Sequence, residues 1–123
     1  MKTIIAGGRN IIDRDLVFHA IKESGFSITE VVCGEARGVD TLGKIWGNEN
    51  SVSVKSFPAD WKSYGRAAGP IRNEQMAEYG EALILVWDGK GKGSGSMLKI
   101  AKKTAKKKEF KIFEFLVDSV KEI

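Results

Sequence analysis

The stretch Pro58 to Met76, PADWKSYGRAAGPIRNEQM, gathers two aromatic side chains, a Gly-Pro break and an Arg-Asn pair into a connector. Proline is favoured at the first helical position, so Pro70 predicts a helix start with Arg72 and Asn73 in its first turn. A helix N-terminus already offers free N–H groups and partial positive charge, so an arginine there calls for an anion that uses both. A phosphate is the simplest such anion. Three glycine-rich segments could cradle it: Gly7-Gly8-Arg9-Asn10, Gly34 to Asp40 (GEARGVD) and Asp88 to Ser96 (DGKGKGSGS). Glycine lets a backbone approach a phosphate closely and take positive φ, so successive N–H groups can converge on one anion. The Gly-Lys-Ser/Thr ending of a Walker loop is absent, as is the full Gly-x-Gly-x-x-Gly of a dinucleotide fold.

The elements that must position these residues follow from periodicity. Lys2 to Ala6 (KTIIA) is a short β-branched run ending in the first glycine turn, and Glu30 to Cys33 (EVVC) ends in the second. Ser51 to Phe57 alternates weakly as a third, more exposed strand closed by Pro58. Ala82 to Trp87 (ALILVW) is the most apolar run and reads as a central strand, and Phe110 to Phe115 (FKIFEF) as the last. Helical periods fill the gaps: Asp13 to Ser24, stopped by Gly25; the stretch carrying Val39, Leu42, Ile45 and Trp46; Pro70 to Tyr79; and a helix capped by Ser94 or Ser96. Gly43 and Gly47, four apart on one helix face, predict close packing of helix on sheet. Five strands alternating with four helices predict an α/β chain, an open parallel Rossmann-like sheet in order 3-2-1-4-5 with helices on both faces. Ligands of such sheets bind beyond the carboxyl ends of the strands where the order reverses, here between the first and fourth strands.

Composition narrows the class. With 123 residues, the chain predicts one domain, residues 1–123, and 42% hydrophobic with 29% charged residues argues against disorder. Cys33 is the only cysteine, so no internal disulfide can form, and it reads as a small buried hydrophobe. The single histidine, His19, lies inside a helix away from every glycine turn and reads as surface or boundary filler. No metal site and no cofactor is expected. The absence of a leader or long apolar span predicts a cytoplasmic protein with no membrane partner. The charge of +4 is concentrated in the lysines between Lys99 and Lys111, a solvated helix face or a weak nucleic-acid contact.

Individual candidates carry competing readings. Asp40, two residues after Gly38, could cap a helix or touch a ligand, and Glu35 is open to the same two readings. Trp61 and Tyr64 could stack a base or lid the core. Arg9 and Arg37 could each reach an anion or remain in solvent.

These loops resemble those of the YspA-like branch of the SLOG superfamily, Rossmann-like proteins related to the LOG phosphoribohydrolases and the DprA DNA-processing proteins. The resemblance rests on Gly7-Gly8-Arg9, GEARGVD (Gly34 to Asp40), ADWKSYGRAAGPIRNEQM (Ala59 to Met76) and WDGKGKGSGSM (Trp87 to Met97). It implies a nucleotide or nucleotide-derived ligand, bound by a sensor or carrier, with Gly93-Ser94 in place of the family's Gly-Thr at the phosphate. The implied contacts are Gly7, Gly8, Arg9, Gly34, Glu35, Ala36, Gly38, Asp40, Trp61, Tyr64, Arg72, Asn73, Asp88, Gly93 and Ser94. The LOG relatives cleave the bond between base and ribose phosphate with paired glutamates just after that Gly-Thr. Here Gly95, Ser96 and Met97 follow instead, and no Asp or Glu occurs between Asp88 and Glu109. Hydrolysis is therefore the alternative function, requiring Glu35, Asp40, Asp60 or Asp88 to stabilise an oxocarbenium-like state, with Glu35 and Asp88 the catalytic candidates. Single-stranded nucleic-acid binding, as in the DprA relatives, is a second alternative, and a homodimer is the expected assembly.

Overall fold

The computed structural model describes residues 1–118. Five parallel strands, β1 (Lys2–Gly7), β2 (Glu30–Cys33), β3 (Ser53–Ser56), β4 (Ala82–Trp87) and β5 (Lys111–Leu116), form one sheet in order β3-β2-β1-β4-β5. The central register sets Ile4 beside Leu83 and Ile5 beside Ile84. This is the α/β, Rossmann-like architecture that the alternation of apolar runs predicts, with its order reversal between β1 and β4.

Neighbouring strand residues point to opposite faces, and each face has its own core. Ile4, Leu83 and Leu85 pack with Met76, Met97 and Ala101, from α4 (Ala68–Tyr79) and α5 (Lys92–Ala105). Ile5, Ile84 and Val86 pack with Val17, Ile21, Val39 and Leu42, from α1 (Arg14–Ser24) and α2 (Val39–Glu49). All six residues of β4 are buried, as a strand covered on both faces requires. A Cβ on Gly43 would lie 2.6 Å from Ile5, so the small residues of α2 do seat that helix against the sheet.

Three local expectations change. Helix α4 begins at Ala68, two residues before Pro70, because the first-turn N–H groups have no intrahelical acceptor and proline loses nothing at the third position. Arg72 and Asn73 consequently sit in the second turn, where the helix terminus no longer explains the arginine. Ahead of α4, the connector folds into a one-turn helix, α3 (Trp61–Tyr64), and a 3-10 turn at Gly65–Ala67. The Asp60 carboxylate caps α3 by accepting from the Ser63 N–H at 3.1 Å, which assigns that carboxylate a structural role. Helix α5 begins at Lys92 behind Gly91, and neither Ser94 nor Ser96 caps it.

Candidate functional site

The loops leaving β1, β2 and β4 meet at the carboxyl edge of the sheet. The Gly8 N–H donates to the Val86 carbonyl at 3.0 Å, and the Gly8 carbonyl accepts from Ile11 at 3.4 Å and from Val39 at 3.2 Å. One loop thereby binds β4, α2 and its own exit. Gly38 takes φ +75°, and a Cβ there would lie 2.2 Å from the Gly8 carbonyl oxygen. At Gly7, a Cβ would lie 1.8 Å from the Val86 oxygen, and at Gly34 it would lie 2.5 Å from Arg72 Nη1. The space beside Gly7, Gly34 and Gly38 is thus filled by protein. These three glycines let the loops touch one another, so contacts within the protein by themselves require their smallness.

Beneath the loops a buried carboxylate lies in the field of a half-buried guanidinium. Asp40 is 6% exposed, and its Oδ2 accepts from the N–H groups of Gly34 at 3.2 Å and Ala36 at 3.4 Å. It folds the loop after β2 and does not cap α2, whose N-cap is Gly38. Burial pushes the Asp40 carboxyl above its ordinary range, opposed by the positive charge of Arg72 and by its backbone donors. Arg72 donates through Nη1 to the Gly34 carbonyl and through Nε to Asn73 Oδ1 at 3.1 Å. Burial lowers the guanidinium's pKa against the favourable field of Asp40, and the like charge of Arg9 lowers it further. Asn73 is itself buried, so it orients Arg72 from within the helix.

Above this pair opens a cleft of about 1020 Å³. Its lining includes Gly8, Arg9 and Asn10 after β1, Asp88 and the segment from Lys90 to Ser94 after β4, and Arg66, Gly69 and Arg72 from the connector and α4. Helix α5 starts in the segment after β4 with no side-chain cap and no acidic residue in its first turn. First-turn N–H groups lack helical acceptors and carry the positive end of the helix dipole. No atom lies within 4 Å of where a Cβ would stand on Gly91 or Gly93. In contrast to the three packed glycines, these two border open space. Asp88 Oδ1 accepts from the Lys90 N–H at 2.9 Å and shapes the turn that delivers α5.

A smaller depression of about 310 Å³ adjoins the cleft and shares Arg9, Ala36, Trp61 and Arg72 with it. Gly34, Glu35, Arg37, Pro58 and Ala59 line only the smaller space. The two catalytic candidates are therefore separated: Asp88 lines the large cleft and Glu35 the small one. A hydrogen bond from the Ser56 hydroxyl holds the Glu35 carboxyl below its ordinary range, and Lys44, 3.5 Å away, adds to this. Trp61, 54% exposed, borders both spaces, whereas Tyr64 lines neither and Gly38 is buried beneath the loops. Arg66, Gly69 and Lys92 line the large cleft although nothing in the sequence singled them out. The cue was available in the same connector and glycine loop, but not the helical turns that bring Arg66 round. Among the described residues, no cluster of three His, Cys, Asp or Glu side chains could hold a metal ion. No helix among them is long and apolar enough to cross a membrane.

Comparison with known proteins identifies the family. The YspA, cpYpsA-related SLOG family matches residues 1–64, the segment from β1 through α3. The Gene 61 protein of Mycobacterium phage D29 is 30% identical over 112 residues, covering 83% of this chain and 89% of the phage protein. No solved structure matches. The chain belongs to the YspA, cpYpsA-related SLOG family.

Proposed function

We propose that the protein binds a nucleotide or nucleotide-derived molecule in the large cleft, with a phosphate on the N–H groups of Gly93 and Ser94 at the start of α5. The observation that carries this reading is the uncapped α5 N-terminus, its glycines bordering open space in a cleft that Arg9, Arg66 and Arg72 also line. Family membership supports the same class, since SLOG proteins are associated with binding or processing nucleotide-related ligands. Arg9 supplies countercharge from the β1 side. Arg72 holds the cleft end against the loop after β2, and Trp61 offers an exposed ring for a base.

Binding without cleavage is favoured by the placement of the carboxylates. Of the carboxylates lining the large cleft, Asp40 is buried and committed to two backbone donors, Asp88 accepts from the Lys90 N–H, and Asp118 lies just past β5, while Glu35 lies outside it. Helix α5 carries no acidic residue. The test is calorimetric titration with AMP, GMP and ADP alongside an assay for free base. The reading expects saturable binding without base release, weakened at least about tenfold when Ser94→Glu sets a negative charge at the helix start. Steady release of base abolished by Asp88→Asn would replace the binding role with a hydrolytic one.

A further inference from the structure

We propose that the ligand is a two-part molecule, two nucleoside-like groups joined by a phosphate bridge, with its second group in the smaller depression beside Glu35; this rests on the nucleotide reading of the large cleft. The two spaces meet along a border that includes Arg9 and Arg72. A monophosphate held at α5 engages Arg9 alone of the two, whereas a bridging phosphate lying across the border also reaches the side of the Arg72 guanidinium left open by its bonds to Gly34 and Asn73. The depression beyond the bridge has the chemistry of a sugar or base site. Pro58 and Ala59 give it an apolar wall, Trp61 borders it with an exposed ring, and Glu35 contributes an acceptor for hydroxyl or amino donors.

The backbone supplies an independent observation. Glu35 takes φ +63°, one of two non-glycine residues in the left-handed region among those described. Non-glycine residues rarely occupy that region, and strained positions of this kind gather at ligand sites. A glycine would fill the same turn without strain, as Gly38 does three residues on at φ +75°. Retaining a glutamate keeps a carboxylate, ionised at neutral pH, at the mouth of the depression.

The experiment compares AMP, ADP and diadenosine diphosphate by calorimetry on the wild-type chain and on Glu35→Gly, with thermal melting of both proteins. Diadenosine diphosphate is expected to bind at least about tenfold more tightly than ADP, the worth of one charge-assisted contact plus a stacked base. In Glu35→Gly that advantage disappears, AMP affinity holds, and the melting temperature stays level or rises as strain is released. Equal affinity for ADP and diadenosine diphosphate, or an advantage that survives Glu35→Gly, overturns the two-part ligand while leaving the large cleft as a nucleotide site. If none of the three binds, the nucleotide reading itself falls and this proposal with it.

Discussion

The guanidinium of Arg72 donates to the carbonyl of Gly34, joining α4 to the loop after β2 across 38 residues of sequence. The same guanidinium lies in the field of buried Asp40, which gathers the Gly34 and Ala36 N–H groups. The floor of the site is thus built from a cation and an anion whose backbone partners belong to one loop. The arginine that the sequence marks as a phosphate ligand is first of all a structural clamp with one side open to the cleft.

Removing the clamp is costly. Arg72→Ala leaves Asp40 buried without its cation and the Gly34 carbonyl without its donor, and is expected to destabilise the fold by about 2–4 kcal/mol in urea unfolding. Arg72→Lys keeps charge but not the forked geometry and should recover only part of the loss.

Asp40 carries a pH signature. Its carboxyl is raised above the usual 3.8, so the folded state binds more protons than the unfolded state as pH climbs past that value. Its contribution to stability therefore falls with rising pH until the folded-state pKa is passed, then levels. The difference in unfolding free energy between wild type and Asp40→Asn, followed upward from pH 3.8, should drift in favour of the variant and then become constant. A difference that moves the other way contradicts the assigned burial.

The two classes of glycine should separate on substitution. Gly38→Ala forces a Cβ into the Gly8 carbonyl at φ +75° and should cost about 2 kcal/mol or more. Gly93→Ala meets nothing within 4 Å and lies in a helix, so it should stabilise by up to about 1 kcal/mol while weakening the nucleotide whose phosphate needs that space. Urea unfolding and calorimetry on both variants read the contrast.

The lysine run should act apart from the cleft. Lys102 and Lys106 are exposed, and Lys106 lies about 18 Å along the helix from Ser94 at 1.5 Å per residue. Lys108 is already engaged, donating to the Glu78 and Gly80 carbonyls at 2.7 and 2.9 Å and so closing the end of α4. The double variant Lys102→Ala, Lys106→Ala is expected to leave AMP affinity unchanged. Any affinity for a single-stranded oligonucleotide should fall with it, and steeply with salt.

Strand order, both helical layers and the sheet edge that holds the cleft were legible because β-branched runs and helical periods alternate without interruption. The glycine loops were legible as a group, but not what fills the space beside each one. That depends on contacts between loops distant in sequence, such as Gly38 on Gly8. Pro70 misplaced the start of α4 because proline fits any position of a first turn, and that error carried Arg72 one turn too early. That Arg66 lines the cleft and Tyr64 lines neither space was not legible for a related reason: a one-turn helix and a 3-10 turn carry them, and neither has a periodicity to read.

The most direct test is a crystal structure of the protein soaked with AMP. The account predicts the phosphate on the N–H groups of Gly93 and Ser94, with Arg9 on its open side and the base toward Trp61. A nucleotide seated on the lysine face of α5, or one whose phosphate stands away from the start of that helix, would contradict it.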